Sequence, residues 1–218
     1  MEEEKNQSLV AIEKKVATVT NNISLTGKDL TIQQINSVAR NNASVLFSQV
    51  PEFVHRIEKS YGKMVEQVKA GVPIYGCNTG YGGRAARIVN QGSPAKRMQL
   101  AKEVSEGIAH VDVTVGPLLT RDVVRAAMLI RINMLMQGVS AVKIDDLAIY
   151  QSILNAQITP LVSQYGGIGA SGDLAHNCRV LSAARQLDGV KVWDRKGNVV
   201  EAKVALKKAG IPPSPPLS

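Results

Sequence analysis

Cysteine and histidine are scarce in this 218-residue sequence, and their scarcity excludes several kinds of site. The two cysteines, Cys77 and Cys178, are too few and too far apart to form a disulfide framework, so we expect reduced thiols. The three histidines, His55, His110 and His176, show no metal-ligand spacing with each other or with the cysteines. We therefore expect no metal in this protein.

Long apolar runs and a secretory leader are also lacking. The longest apolar runs are interrupted by Arg125 and Arg131, so no segment is predicted to span a membrane. The chain opens with Met1-Glu2-Glu3-Glu4-Lys5, which has the wrong charge and polarity for a signal peptide. These features predict a cytoplasmic protein with no membrane partner.

Motifs for nucleic acids and nucleotides are absent as well. The formal net charge is +8, a basic balance that nucleic-acid-binding proteins often share. The lysines and arginines are scattered, however, and aromatic residues make up only 4% of the chain, so we expect no nucleic-acid partner. No Gly-Lys-Ser or Gly-Lys-Thr follows the glycine-rich stretch described below, so no nucleotide cofactor is expected.

Apolar residues recur at helical spacing over most of the chain, which predicts a mainly α fold with a few short strands. Thr31 is expected to cap a helix whose apolar face carries Ile32, Ile35, Val38 and Ala39. Further helices are predicted over 51–70, from Met98 to the region of His110, from Thr120 through Met136, over 140–155, through Gln186 and over 201–208. The helix ending at Met136 is apolar on nearly every face, which predicts that it is buried. A strand and turn are expected over 23–28, and a hairpin over 190–200 that turns at 196–198.

Composition divides the chain into three parts. Residues 1–22 are polar with alternating charge and are expected to be a mobile leader. Residues 23–210 are expected to form one domain, since their length and apolar content suffice for a core. Residues 211–218 hold four prolines and are expected to be an extended linker.

The most unusual stretch is 159–174, in which four glycines surround Ser171 and precede Asp173. Glycine allows close backbone approach at a high entropic cost, which a chain accepts where the main chain does something unusual. One interpretation is a glycine-rich turn ahead of a helix, and local composition alone favours it. The other is main-chain chemistry, in which the Gly172 nitrogen attacks the Ala170 carbonyl, and loss of water from that ring and from Ser171 leaves a conjugated electrophile.

Leu154-Asn155-Ala156-Gln157-Ile158-Thr159-Pro160 running into Gly169-Ala170-Ser171-Gly172-Asp173-Leu174 resembles the aromatic amino acid ammonia-lyases and aminomutases, the histidine and phenylalanine ammonia-lyase family. The resemblance implies that Ala170-Ser171-Gly172 cyclises to 4-methylidene-imidazol-5-one (MIO) without a metal. It also implies the helical fold of the ammonia-lyase superfamily, related to fumarase and aspartase, of which this chain resembles the MIO-bearing N-terminal domain. The sequence over 123–133 resembles the same family.

A second motif supports this resemblance. Residues 74–83 contain four glycines and are predicted to form a loop. They match the pattern Tyr-Gly-x-x-Thr-Gly-aromatic-Gly, which in the family carries the catalytic tyrosine, here Tyr75. By the same resemblance, Gly82 and Leu174 are expected to line the substrate pocket.

In the family, a pair of residues in this region contacts the substrate ring. The resemblance places this pair at Glu106 and Gly107, counted from Met98-Gln99. Histidine- and tyrosine-specific members have a histidine where Glu106 lies. A carboxylate there disfavours a bare phenyl ring and suits a side chain with an N–H or a positive charge. The alternative is that Glu106 simply faces solvent. After Leu174 the chain departs from the family's usual Pro-Leu, with His176 and Asn177 as polar groups close to the triplet.

The family's chemistry explains why such an electrophile is needed. No standard side chain is an electrophile, so an enzyme that removes ammonia from an α-amino acid must borrow or make one. In the implied reaction the substrate amine attacks the methylidene derived from Ser171, and Tyr75 removes the β-hydrogen. An ordinary phenol has a pKa of about 10, so forming a phenolate at pH 7 costs roughly 4 kcal/mol. Nearby dipoles or cations, including N–H groups of the two glycine loops, must offset that cost.

Three functions remain open from the sequence. The first is a lyase that releases ammonia from histidine, phenylalanine or tyrosine, and the second is an aminomutase that returns the amine to the β-carbon. The third is a non-enzymatic role as an inactive fragment or helical interaction module. The resemblance covers only the front portion of the family, whose tetramers build each active site from several chains. We therefore expect a homo-oligomer, or a complementing C-terminal helical chain, and no activity from this chain alone.

Overall fold

The computed structural model describes residues 22–47, 51–167 and 172–217. The expected mainly α fold is confirmed, and the expected leader over 1–22 falls almost entirely outside the described residues. The helices are α1 Ile32–Ala39, α2 Pro51–Ala70, α3 Pro94–Ile108, α4 Arg121–Leu135, α5 Ile144–Asn155, α6 Leu174–Ala184 and α7 Ala202–Lys208. No helix of the described residues is long and apolar enough to cross a membrane.

Short strands form three small sheets between the helices. In the first, β1 Asn22–Leu25 pairs in parallel with β2 Ser44–Phe47. In the second, β3 Val115–Leu118 pairs antiparallel with β5 Ser163–Tyr165. The third has the order β4 Thr159–Pro160, β6 Lys191–Trp193, β7 Val199–Glu201, and all its pairs are antiparallel. The β6–β7 hairpin was predicted, whereas β2, β3, β4 and β5 were not.

The start of α1 agrees with the prediction in its cap and differs in its apolar face. The Gln34 backbone N–H donates to the Thr31 hydroxyl at 3.2 Å, and the Thr31 backbone N–H donates to the Gln34 side chain at 2.9 Å. This reciprocal pair satisfies two backbone donors at the helix start. Val38 and Ala39 are buried as expected, but Ile32 is 73% exposed because the buried face of α1 lies toward its C-terminal end.

Two predicted helix starts were wrong. Helix α3 begins at Pro94 rather than Met98, because Ser93 accepts the Lys96 N–H and proline suits the first helical turn. Helix α5 begins at Ile144 rather than at residue 140, since Ala141 has a φ of +50°, outside the right-handed helical region.

The main hydrophobic core surrounds α4 and α5. Met128, Leu129 and Ile132 of α4 pack there with almost no exposed surface. The prediction that α4 is buried on nearly every face was wrong for the described chain, because Ile130 is 40% exposed and Met134 is 50% exposed. One face of α4 therefore remains open to solvent.

A buried arginine joins three helices within this core. Arg125 of α4 is 2% exposed and donates to the Val38 carbonyl at 2.7 Å and to the Leu154 carbonyl at 3.1 Å. These carbonyls lie in the last turns of α1 and α5, where helical carbonyls lack partners within the helix. The guanidinium therefore caps two helix ends at which the macrodipole favours a positive charge.

The proline-rich segment 211–217, which was predicted to be a linker, has no helix or strand. It nevertheless packs onto α5 and α6. The Ser214 backbone N–H donates to the Ala184 carbonyl at 2.9 Å, and the Ser214 hydroxyl donates to the Asp146 carboxylate at 2.9 Å. Ile211 and Ser214 are buried by these contacts.

Candidate active site

The loop over 74–83 is organised around two buried polar side chains. Asn78 is fully buried, accepts the Ile74 N–H at 2.6 Å and donates to the Val72 carbonyl at 3.0 Å. Thr79 is also buried, and its hydroxyl accepts the Gly76 N–H at 3.1 Å. Side-chain bonds of this kind replace the ladder bonds that a helix or strand supplies. The sequence analysis did not single out Asn78, although asparagine in a glycine-rich segment often satisfies neighbouring backbone groups.

This scaffold leaves Tyr75 on the surface, 66% exposed, and brings it to Gly82. The Gly82 backbone N–H donates to the Tyr75 hydroxyl oxygen at 3.1 Å. Gly82 has a φ of +53°, in the left-handed region that favours glycine. The bond fixes the Tyr75 hydroxyl oxygen beside the Gly82 backbone.

Tyr81, in the same loop, bonds back to the backbone of Gly76. Its hydroxyl donates to the Gly76 carbonyl at 2.9 Å, and its ring meets the Tyr75 ring edge-on, with centroids 6.1 Å apart and planes at 80°. Gly76 has a φ of +73°, and a Cβ added there would lie 3.0 Å from the Tyr81 ring, so this turn favours glycine. Burial raises the pKa of Tyr81.

The triplet lies at the edge of the described chain. Ala170 and Ser171 fall outside the described residues, so their predicted cyclisation stays a prediction. The flanking glycines are described and lie very close together, since a Cβ added to Gly167 would lie 2.6 Å from the Gly172 carbonyl oxygen. Gly172 has a φ of +75° and open space where a side chain would be. A side chain at residue 167 would therefore clash with the Gly172 carbonyl, which requires glycine at Gly167.

Helix α6 starts directly after the triplet, at Leu174. The Asn177 side chain donates to the Asp173 carboxylate at 2.9 Å and to its carbonyl at 3.1 Å. The His176 Nε2 atom lies 3.2 Å from the Gln164 carbonyl oxygen on β5. His176 and Asn177, the two polar residues that depart from the family pattern, thus form hydrogen bonds near the start of α6.

Leu174 is 44% exposed and lines a cavity of about 370 Å³. Apolar side chains of α4 and α5 line much of this cavity, together with Arg131, Lys143 and Arg185. Tyr75 and Gly82 do not line it.

Glu106 and Gly107 lie exposed in the last turn of α3. Glu106 lines a second cavity, of about 430 Å³, with His110, Arg185 and the prolines of the C-terminal segment. Arg185 donates to the Ser105 carbonyl at 2.6 Å and to the Ser105 hydroxyl at 2.9 Å, so it holds the turn that carries Glu106. Burial lowers the pKa of Arg185, while the charges of Tyr150, Asp146 and Glu106 oppose that shift.

The described structure therefore joins some of the predicted site residues and separates others. It joins Tyr75 to Gly82 through a hydrogen bond. Leu174 and Glu106 line different cavities. Among the described residues, no group of histidine, cysteine, aspartate and glutamate side chains has the arrangement of a metal site.

Comparisons of this chain with known proteins point to one enzyme family. Residues 30–217 match the family profile described as aromatic amino acid lyase. The chain is 31% identical over 185 residues to a phenylalanine ammonia-lyase of Nostoc punctiforme, covering 85% of this chain and 32% of that one. The chain spans about a third of the length of the curated relatives it matches.

Two solved structures share the fold. The first is the ergothioneine-degrading enzyme ergothionase of Treponema denticola, with a TM-score of 0.78 and 26% identity. The second is the phenylalanine aminomutase of Pantoea agglomerans, with a TM-score of 0.75 and 29% identity. Each alignment covers 88% of this chain, and 36% and 35% of the respective enzyme.

Proposed function

Because the chain belongs to the aromatic amino acid lyase family, we propose that it carries the front part of an ammonia-lyase active site. The proposed reaction eliminates ammonia from an aromatic amino acid. Ala170, Ser171 and Gly172 form the electrophile, and Tyr75 takes the β-hydrogen. The observation that best supports this proposal is the hydrogen bond from the Gly82 N–H to the Tyr75 hydroxyl oxygen.

The residues around the triplet fit an MIO group. Cyclisation requires the Gly172 nitrogen to reach the Ala170 carbonyl, and the described residues on either side, Gly167 and Gly172, approach each other closely. Gly172 carries no side chain that obstructs such an approach. The MIO group supplies an electrophile that activates the substrate amine as a leaving group.

Tyr75 is suited to act as the base because of its bonding. Forming a phenolate from an ordinary phenol at pH 7 costs roughly 4 kcal/mol. The Gly82 N–H donates to the Tyr75 hydroxyl oxygen at 3.1 Å and so fixes its position. Nearby dipoles or cations must offset the cost of ionisation. The exposed position of Tyr75 leaves its hydroxyl accessible to a substrate.

We assign substrate binding to Gly82, Glu106, Gly107 and Leu174. The Glu106 carboxylate is exposed in the described chain and favours a substrate ring with an N–H or a positive charge. A phenylalanine ammonia-lyase is among the relatives, and the ergothioneine-degrading enzyme ergothionase shares the fold, so the similar proteins act on different substrates. The substrate class is therefore an aromatic amino acid, with an imidazole-type ring favoured over a bare phenyl ring.

We propose that activity requires further polypeptide. The chain spans about a third of its relatives, and Glu106 and Leu174 line separate cavities rather than one enclosed pocket. A homotetramer, or a complementing C-terminal helical chain, supplies the remaining walls. The proposed location is the cytoplasm.

A second candidate is a 2,3-aminomutase, which the structural similarity to the Pantoea agglomerans phenylalanine aminomutase favours. Both reactions use the same electrophile and base. The products separate them, because a β-amino acid excludes a pure lyase and a lasting arylacrylate with free ammonia excludes a pure aminomutase.

The proposal is tested by assaying the chain alone and after co-expression with the remaining two thirds of the Nostoc punctiforme relative. Histidine, tyrosine and phenylalanine are supplied, and product absorbance and ammonia are measured. We expect activity only in the co-expressed form, and we expect the Ser171→Ala variant to be inactive there. Equal activity of the Ser171→Ala variant would contradict the proposed electrophile, and turnover by the chain alone would contradict the need for further polypeptide.

A further inference from the structure

The sequence Tyr-Gly occurs twice in the loop, at Tyr75-Gly76 and at Tyr81-Gly82, and the two copies are bonded to each other reciprocally. The Tyr75 hydroxyl accepts the N–H of the glycine that follows Tyr81. The Tyr81 hydroxyl donates to the carbonyl of the glycine that follows Tyr75. Each tyrosine is thus tied to the backbone beside the other, and the two rings meet edge-on between these bonds.

The two hydroxyls are placed in opposite surroundings. Tyr75 is exposed and its oxygen accepts the Gly82 N–H. Tyr81 is half-buried and its hydroxyl donates to a carbonyl, an arrangement that requires the neutral phenol. Burial raises the pKa of Tyr81, which is consistent with a group that keeps its proton. Such differences in environment are how one site holds two like groups in different roles.

We propose that Tyr81 is a positioning residue that fixes the Tyr75 hydroxyl through its bond to the Gly76 carbonyl and its edge-on ring contact. The catalytic meaning of this role rests on the proposed function of Tyr75. The claim that Tyr81 fixes the position of the Tyr75 hydroxyl does not rest on that function, because it concerns only the structure of the loop. Loss of the Tyr81 hydroxyl frees the Gly76 carbonyl, and loss of the ring also removes the support beside Tyr75.

The test is hydrogen exchange of the Gly82 amide, measured by NMR in the 218-residue chain and in its Tyr81→Phe and Tyr81→Leu variants. We expect exchange to become about fivefold faster in Tyr81→Phe, which loses one neutral hydrogen bond, and faster still in Tyr81→Leu. Tyr165→Phe is the matched control, since Tyr165 is 60% exposed and lies on β5, outside the loop. That variant should leave Gly82 exchange unchanged.

Unchanged Gly82 exchange in folded Tyr81→Phe would overturn the proposal. Tyr81→Phe keeps the ring, so it decides the question even if Tyr81→Leu fails to fold. In the active co-expressed form, Tyr81→Phe should lower kcat by about fivefold with little change in KM, whereas a merely structural role predicts equal kcat in the folded fraction. An unmodified triplet and a lack of activity would contradict the proposed function. The exchange rate of the Gly82 amide would still test the role of Tyr81, so failure of the proposed function and failure of the Tyr81 proposal are distinguishable.

Discussion

The hydroxyl oxygen of Tyr75 accepts a hydrogen bond from the backbone N–H of Gly82, 3.1 Å away. The bond closes a loop in which Asn78 and Thr79 are buried and Tyr75 is exposed. The side chains that hold the loop, Asn78 and Thr79, therefore lie inside the protein, whereas the Tyr75 side chain lies at its surface. The bond fixes the position of the hydroxyl group that is proposed to act as the base.

Replacing Tyr75 by phenylalanine should remove activity without unfolding the chain. General base catalysis contributes typically 10²–10⁴-fold, so we expect kcat of the active co-expressed form to fall by about that factor. Because Tyr75 is 66% exposed, the free energy of unfolding should change by no more than about 0.5 kcal/mol. Steady-state kinetics and urea unfolding measure the two effects. Wild-type kcat in Tyr75→Phe would rule out Tyr75 as the base.

Replacing Arg125 by methionine should destabilise the fold. The Val38 and Leu154 carbonyls would lose their buried donor, and we expect a loss of about 2–4 kcal/mol in the free energy of unfolding. Arg125→Lys should lose less, because it keeps the charge but not the planar fork. Urea unfolding checks this, with exposed Arg195→Met as the control. Equal stabilities of Arg125→Met and Arg195→Met would show that the two helix caps contribute nothing.

Replacing Asn78 by alanine should loosen the tyrosine loop. The Ile74 N–H and the Val72 carbonyl would both lose a partner, which we expect to cost about 1–3 kcal/mol of unfolding free energy. Asn36→Ala, on an exposed position of α1, is the control. Limited proteolysis should cut Asn78→Ala within 74–83 faster than it cuts the control. Equal cleavage rates would mean that the loop is held by other contacts.

Replacing Asp146 by asparagine should change how stability depends on pH. Burial raises the pKa of the Asp146 carboxyl, against opposing effects of the Ser214 hydroxyl, Lys143 and Arg185. Because the folded pKa lies above the unfolded value of about 3.9, folding favours the protonated acid. The stability from this group is present below the unfolded pKa and is lost as pH rises through the folded pKa.

The amide introduced by Asp146→Asn cannot ionise, so we expect the stability of this variant relative to wild type to increase as pH rises from about 4 and then to level off. Urea unfolding at several pH values measures this difference, and groups common to both proteins cancel. If the difference in free energy of unfolding between Asp146→Asn and wild type stays constant with pH, the Asp146 carboxyl has the same pKa in the folded and unfolded states. Asp145→Asn, at the neighbouring residue, tests whether the effect belongs to Asp146.

Features with local signals were predicted well from the sequence. Helix α2 has the predicted bounds because Pro51 opens it and Gly71 follows its last residue. The β6–β7 hairpin and the cap at Thr31 also depend on residues close together in sequence. The start of α3 was missed because its first turn is polar and lacks the apolar spacing on which the prediction relied.

Features that depend on distant residues were not predictable in this way. The parallel pairing of β1 with β2 and the antiparallel pairing of β3 with β5 join segments whose individual strands are very short. The reciprocal bonds of Tyr75 and Tyr81 depend on how Asn78 folds the loop back, which the motif alone does not specify. The motif located Tyr75 and Gly82, and the structure supplied the relationship between them.

The central claim is that Ala170, Ser171 and Gly172 cyclise, and the mass of the peptide that contains them tests it most directly. Cyclisation with dehydration of Ser171 removes two waters, so the peptide from the mature, assembled protein should be about 36 Da lighter than its sequence predicts. The same peptide from Ser171→Ala should lack the loss due to the serine hydroxyl. A wild-type peptide of full, unmodified mass in the mature, assembled protein would contradict the account.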